Sequence, residues 1–136
     1  MARSIRVIIV SVAAAMMLVG AGCRLQQGDQ FAYPTVGSTA TFQAYPHWGI
    51  AGTVTVVDAH TLRLDDFSFH GEGLAVDIRL QRGDTRVAVV ADLTTKSYDH
   101  ATVELAIPED VALTDFNLVT VFCPALSSPV SGAAFK

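Results

Sequence analysis

Methionine, cysteine and basic residues are all scarce in this chain of 136 residues. The three methionines are Met1, Met16 and Met17, so none lies beyond the first 22 residues. Axial thioether ligation of haem or copper is thereby excluded from everything that follows. The two cysteines, Cys23 and Cys123, are too few for an iron–sulfur cluster, and no c-type haem attachment motif is present. No histidine follows Cys123, which rules out the Cys-then-His order of a blue-copper loop. A Gly-x-Ser-x-Gly elbow and a phosphate-binding loop are both missing, so hydrolase and nucleotide chemistry have no support. Charged residues make up 16% of the chain. Beyond residue 22 there are seven basic and thirteen acidic side chains, a formal charge of −6. Nucleic acid is excluded as a partner, because phosphate contacts need clustered Lys and Arg. Disorder is excluded too, since 51% of residues are hydrophobic and supply a core.

What is present begins with an export signal. Arg3 and Arg6 form a positive n-region, and Val7 to Val19 form a short apolar h-region. The uncharged run from Val7 to Gly22 falls short of the ~20 residues needed to cross a hydrocarbon core. Gly20-Ala21-Gly22-Cys23 resembles the bacterial lipobox, in which small residues precede a cysteine that takes a diacylglycerol. Gly20 stands where lipoproteins usually carry Leu. The expectation is therefore a signal over residues 1–22, acylation of Cys23 and an extracytoplasmic domain held on a membrane by its lipid. Cleavage near Gly22 without acylation, or an uncleaved anchor, are the alternatives. Residues 23–31 are polar and read as a tether.

From residue 51 onward the hydrophobic period is two. Val54 and Val56, Leu62 and Leu64, then Leu74, Val76, Ile78 and Leu80 alternate with wetter residues. Val87, Val89, Ala91 and Leu93 continue the pattern, followed by Val103, Leu105 and Ile107, and by Val119 and Val121. Turn residues separate these runs at Asp58 to His60, His70 to Gly73, Arg82 to Asp84 and Pro108 to Asp110. Further strands are expected within Thr35 to Gln43 and Val130 to Phe135. No convincing amphipathic helix follows the signal. The pattern predicts an all-β domain over residues 32–136, an antiparallel β-sandwich or barrel-like sandwich of seven or eight short strands.

With Cys23 acylated, Cys123 is the single thiol of the mature chain and has no partner for an internal disulfide. It ends a strand just before Pro124, which places it at the edge of the core, mostly covered and reachable through a mouth of loops. A lone cysteine most often serves as a small buried hydrophobe; a reactive one needs nearby positive charge. No Lys or Arg is close in sequence, so any activation must come across the fold. His47, His60, His70 and His100 show no metal-ligand spacing and read as turn or surface residues; Asp65, Asp66, Glu72 and Asp77 read as a solvated acidic face.

Several segments together resemble one family. His47-Trp48-Gly49-Ile50-Ala51-Gly52-Thr53-Val54 is similar to the opening of the DM-13 domain, a small β-rich extracellular module described as an electron-transfer domain. Leu62 to Phe67 and Phe69 to Gly73 resemble its strand ending in Asn/Asp-Phe and its glycine-bracketed loop. Tyr98 to Pro108 is similar to its penultimate strand, Val119 to Cys123 to its hallmark aromatic-Cys strand, and Gly132 to Ala134 to its closing Gly-x-Ala. The departures are Phe122 for the usual Trp, Leu74 for a Pro and Ser131 for a Phe. The resemblance implies a redox role for Cys123 with a redox protein partner, in a family often found beside haem-binding DOMON and cytochrome-b-type proteins. It also points to His47 and the Phe69 to Gly73 loop as neighbours of the thiol. A non-catalytic binding module for a surface polymer or protein is the competing reading. A haem or metal carrier using His47 or His70 is a third, and the ligand spacing does not favour it.

Overall fold

The computed structural model describes residues 32–71 and 75–136. The signal, Cys23 and the tether lie outside the described residues, as do Glu72, Gly73 and Leu74. Eight strands follow one another: β1 (Thr39–Thr41), β2 (Ala51–Asp58), β3 (Thr61–Phe69), β4 (Asp77–Arg82), β5 (Thr85–Asp92), β6 (Tyr98–Ala106), β7 (Leu118–Cys123) and β8 (Ser128–Ala134). They form two four-stranded sheets, ordered β1-β2-β3-β6 and β5-β4-β7-β8, and every pairing is antiparallel. The only helical elements among the described residues are single 3₁₀ turns at Pro46–Trp48, Leu113–Asp115 and Pro124–Leu126. The fold is the expected all-β sandwich. It is not a closed barrel, because the described residues contain no ladder joining β5 to β6.

The core is what the two-residue period supplies. Val54, Val56, Leu62 and Leu64 project from the first sheet against Ile78, Leu80, Val119 and Val121 from the second, all fully buried. Rings fill the remaining space: Phe42 lies 5.7 Å from Phe67, Phe67 lies 5.5 Å from Tyr98, and Phe116 lies 6.3 Å from Phe135, in tilted or edge-on contacts. On one side the sheets are stitched together. Phe42 bridges Ala133, the Gln43 amide donates to Gly132 O (3.1 Å), and Ser131 Oγ donates to Gln43 O.

Bulges interrupt the simple alternation. The β2–β3 register shifts between Ala51 and Thr53, and the β3–β6 register between Leu64 and Phe67. The extra residue, Asp66 at φ 52°, turns β3 so that Phe67 and Phe69 inherit the buried face of Leu62 and Leu64. Gly52 at φ 139° makes the close approach feasible: a Cβ there would meet Phe67 Cα at 3.0 Å. The expected buried face of β5 is corrected. Val89 is 46% exposed and Val87 and Ala91 are half-buried, because β5 is an edge strand whose register against β4 slips twice. The first strand is shorter than expected, since Gly37 at φ 91° and the Ser38 amide donating to Thr35 O make a turn of residues 35–38.

Candidate functional site

The register brings the sequence's candidate residues to one end of the sandwich. Cys123 pairs with Ser128 and sits one step beyond the Asp77–Phe122 pair. At the same end lie the β3 terminus, where Phe69 pairs with Tyr98, and the Pro46–Trp48 turn that precedes β2.

Cys123 is free and 0% exposed, on the buried face with Val119 and Val121 as alternation requires. It therefore lies deeper than the partly reachable position expected from Pro124. The chain then makes one 3₁₀ turn, Pro124–Leu126, which Ser127 at φ 49° closes by donating its amide to Pro124 O (3.0 Å). Residues 124–129 are exposed, so the thiol lies next to an exposed turn.

Phe122 faces the other way. The Arg79 guanidinium stacks on its ring, 3.8 Å from the centroid, and grips Asp77 through Nε to Oδ1 (2.6 Å) and Nη2 to Oδ2 (3.0 Å). This clamp fixes the aromatic residue beside the cysteine and thereby the end of β7. It does not activate the thiol, because its charge lies on the opposite face and is neutralised by Asp77. Sequence reasoning missed it, although Asp77, Arg79 and Phe122 all occupy outward positions of adjacent strands.

The loops opposite are built around small residues. Gly49 at φ 61° lies against the His70 ring, where a Cβ would approach Cδ2 to 2.6 Å, and Gly71 fits between Phe69 and Trp48. The His70 amide donates to Trp48 O (2.7 Å), joining the two loops. Ser97 Oγ donates to Phe69 O (3.3 Å), so it can only accept at its 3.1 Å contact with His70 Nδ1. Nδ1 consequently donates to Ser97 Oγ, and the His70 ring is exposed. His47, also exposed, packs edge-on against Tyr45 at 6.2 Å. Among the described residues no hydrogen bond links Cys123 to His47 or His70.

The remaining candidates lie elsewhere. His60 is in the β2–β3 turn at the opposite end, its amide donating to Asp58 Oδ1. His100, at φ 48° on β6, bonds Asp66 through Nδ1 at 2.6 Å on the exposed flank of the first sheet. The Asp66 bond, and then the charges of Asp66 and Asp99, raise the His100 pKa above its ordinary value. The acidic face is divided among separate partners. Asp65 takes Arg63 and Thr55, Asp66 takes His100 and Asp77 takes Arg79. The Arg63 hydrogen bond lowers the Asp65 pKa. Among the described residues no group of three His, Cys, Asp or Glu side chains converges on a metal-sized site.

No curated protein and no solved structure matches the chain significantly. A family model described as electron transfer DM13 matches residues 41–135, well over half the chain and all eight strands except the first residues of β1. The chain belongs to the DM13 family of electron-transfer domains.

Proposed function

We propose that the chain is a lipid-anchored extracytoplasmic module that exchanges electrons with a protein partner through Cys123. The observation that carries this reading is the placement of the free thiol, at the last residue of β7 and against an exposed turn, inside the span that the family model covers. Once Cys23 is acylated, any disulfide made by Cys123 is intermolecular. In the exchange step Cys123 gives up its proton and its sulfur bonds one sulfur of a partner disulfide. The partner's other sulfur leaves as a thiolate and takes a proton. Because the thiol is fully buried, a local opening must precede the exchange, and the exposed 124–127 turn next to it is the segment assigned that motion. The export signal and tether support a domain standing off a membrane on acyl chains.

Intact mass of the protein taken from its native membranes tests both halves. The expected species lacks residues 1–22, carries acyl groups on Cys23 and shows a fraction of Cys123 as a mixed disulfide. An unacylated Cys23 removes the anchor; a Cys123 that stays reduced under oxidising conditions removes the redox step. One observation favours a second reading, a non-catalytic binding module of the cell envelope: the thiol is covered and its nearest guanidinium on the sheet is committed to Asp77. Under that reading Cys123→Ser keeps full biological activity, and under the first it loses it.

A further inference from the structure

Along the β1–β8 seam, the outer surface of the second sheet sinks into a hollow of about 630 Å³, within the size range of small-molecule pockets. Cys123 is not part of its lining. Two of the groups at its floor are polar and buried. Thr120 is 1% exposed, and its Oγ1 has no hydrogen-bond partner among the described residues. Gln81, on the neighbouring strand, is 5% exposed. Leaving such a hydroxyl unpaired costs stability unless a bound molecule supplies the missing bond.

The hollow is preformed. Gly132 pairs with Thr120 and leaves the gap open, since a Cβ there would come within 3.2 Å of Leu118 Cδ1. Asn117 braces its lower end by donating its amide to Gln81 O (3.0 Å), accepting the Gly83 amide at Oδ1 (3.2 Å) and accepting the Phe135 amide at its carbonyl (3.1 Å).

The lining chemistry defines the occupant. Thr39, Thr41, Gln43, Gln81 and Thr120 offer hydroxyls and carboxamides, groups that both donate and accept. One acid, Asp84, and one base, Lys136, also line it, with no His or Arg. Ser131 also lines it, with its hydroxyl donating to Gln43 O, and most of the rest is aliphatic surface such as Ala40, Val130 and Ala134. A strongly charged ligand would lack a matching charge cluster, and a purely apolar one would leave Thr120 and Gln81 unsatisfied. A molecule with hydroxyls at its rim and C–H faces between them satisfies both parts. We propose that this hollow binds a neutral saccharide, with Thr120 and Gln81 as hydrogen-bonding residues at its floor.

Nuclear magnetic resonance titration of the full chain in detergent micelles tests this, using glucose and N-acetylglucosamine as neutral probes and glucuronate as the charged control. A neutral probe should saturate at roughly 10 mM or below and shift the amides of Thr120, Gly132 and Gln81. Thr120→Val, which removes the hydroxyl at nearly constant shape, should raise the melting temperature and weaken that binding about tenfold. Absence of saturable shifts at those amides with either neutral probe overturns the proposal, and the wild-type titration alone decides that point if the variant misfolds. Equal binding of glucuronate, or unchanged affinity in Thr120→Val, overturns it as well.

Discussion

Thr95 holds φ 65° in the turn of residues 93–96, where Lys96 N donates to Leu93 O. A β-branched residue in that region is strained, and glycine would relax it. Thr95→Gly should stabilise the domain by about 1 kcal/mol, read from the urea midpoint at constant slope; a destabilised variant would contradict the strain. His100 offers a pH test. Its folded pKa is raised, so its pairing with Asp66 contributes fully below the unfolded value of 6.5 and is lost as pH rises through the folded value. The stability advantage of the wild type over Asp66→Asn should therefore shrink toward alkaline pH. An advantage that grows there would reverse the sign of the linkage. Neither feature was readable from sequence: Asp66 and His100 are 34 positions apart and meet only through the β3–β6 register.

The strands themselves were largely legible, because half-buried strands advertise their inner face every second residue, as at Leu62 and Leu64 or Val119 and Val121. Bulges were not, since an extra residue is defined by the partner strand rather than by its own chain. That is why Phe67 was legible at the end of a strand but not on its buried side, why Phe69 reads from sequence as part of the following loop, and why the exposure of Val89 on edge strand β5 was missed. At this bulge of β3 the constraint falls on Gly52. Gly52→Ala combines φ 139° with a 3.0 Å approach to Phe67 Cα, and should cost roughly 2–3 kcal/mol. Chemical denaturation would show it; a neutral effect would mean that the bulge relaxes freely.

At the scale of the whole domain, the sandwich needs no covalent staple. Cys123 is free and sealed among strands whose apolar faces fill the core, so reductant should leave the melting temperature unchanged. A fall of many degrees would reveal an intermolecular bridge. The end of the molecule that gathers Cys123, the Trp48 turn and the His70 loop was legible only through family-like motifs, because residues some 50 to 75 positions apart converge there through sheet order. Periodicity gave the thiol its inward direction; that it is completely buried although it ends its strand at Pro124 is something no local pattern announces.

A redox role for Cys123 requires the buried thiol to reach solvent without the domain unfolding. The direct measurement is the rate of maleimide labelling of the full chain against urea concentration, well below the unfolding transition. If the turn beside Cys123 opens locally, labelling proceeds with almost no urea dependence, far faster than global unfolding allows. Labelling with the full urea dependence of global unfolding would mean that Cys123 is exposed only in the unfolded chain, and would contradict the redox account.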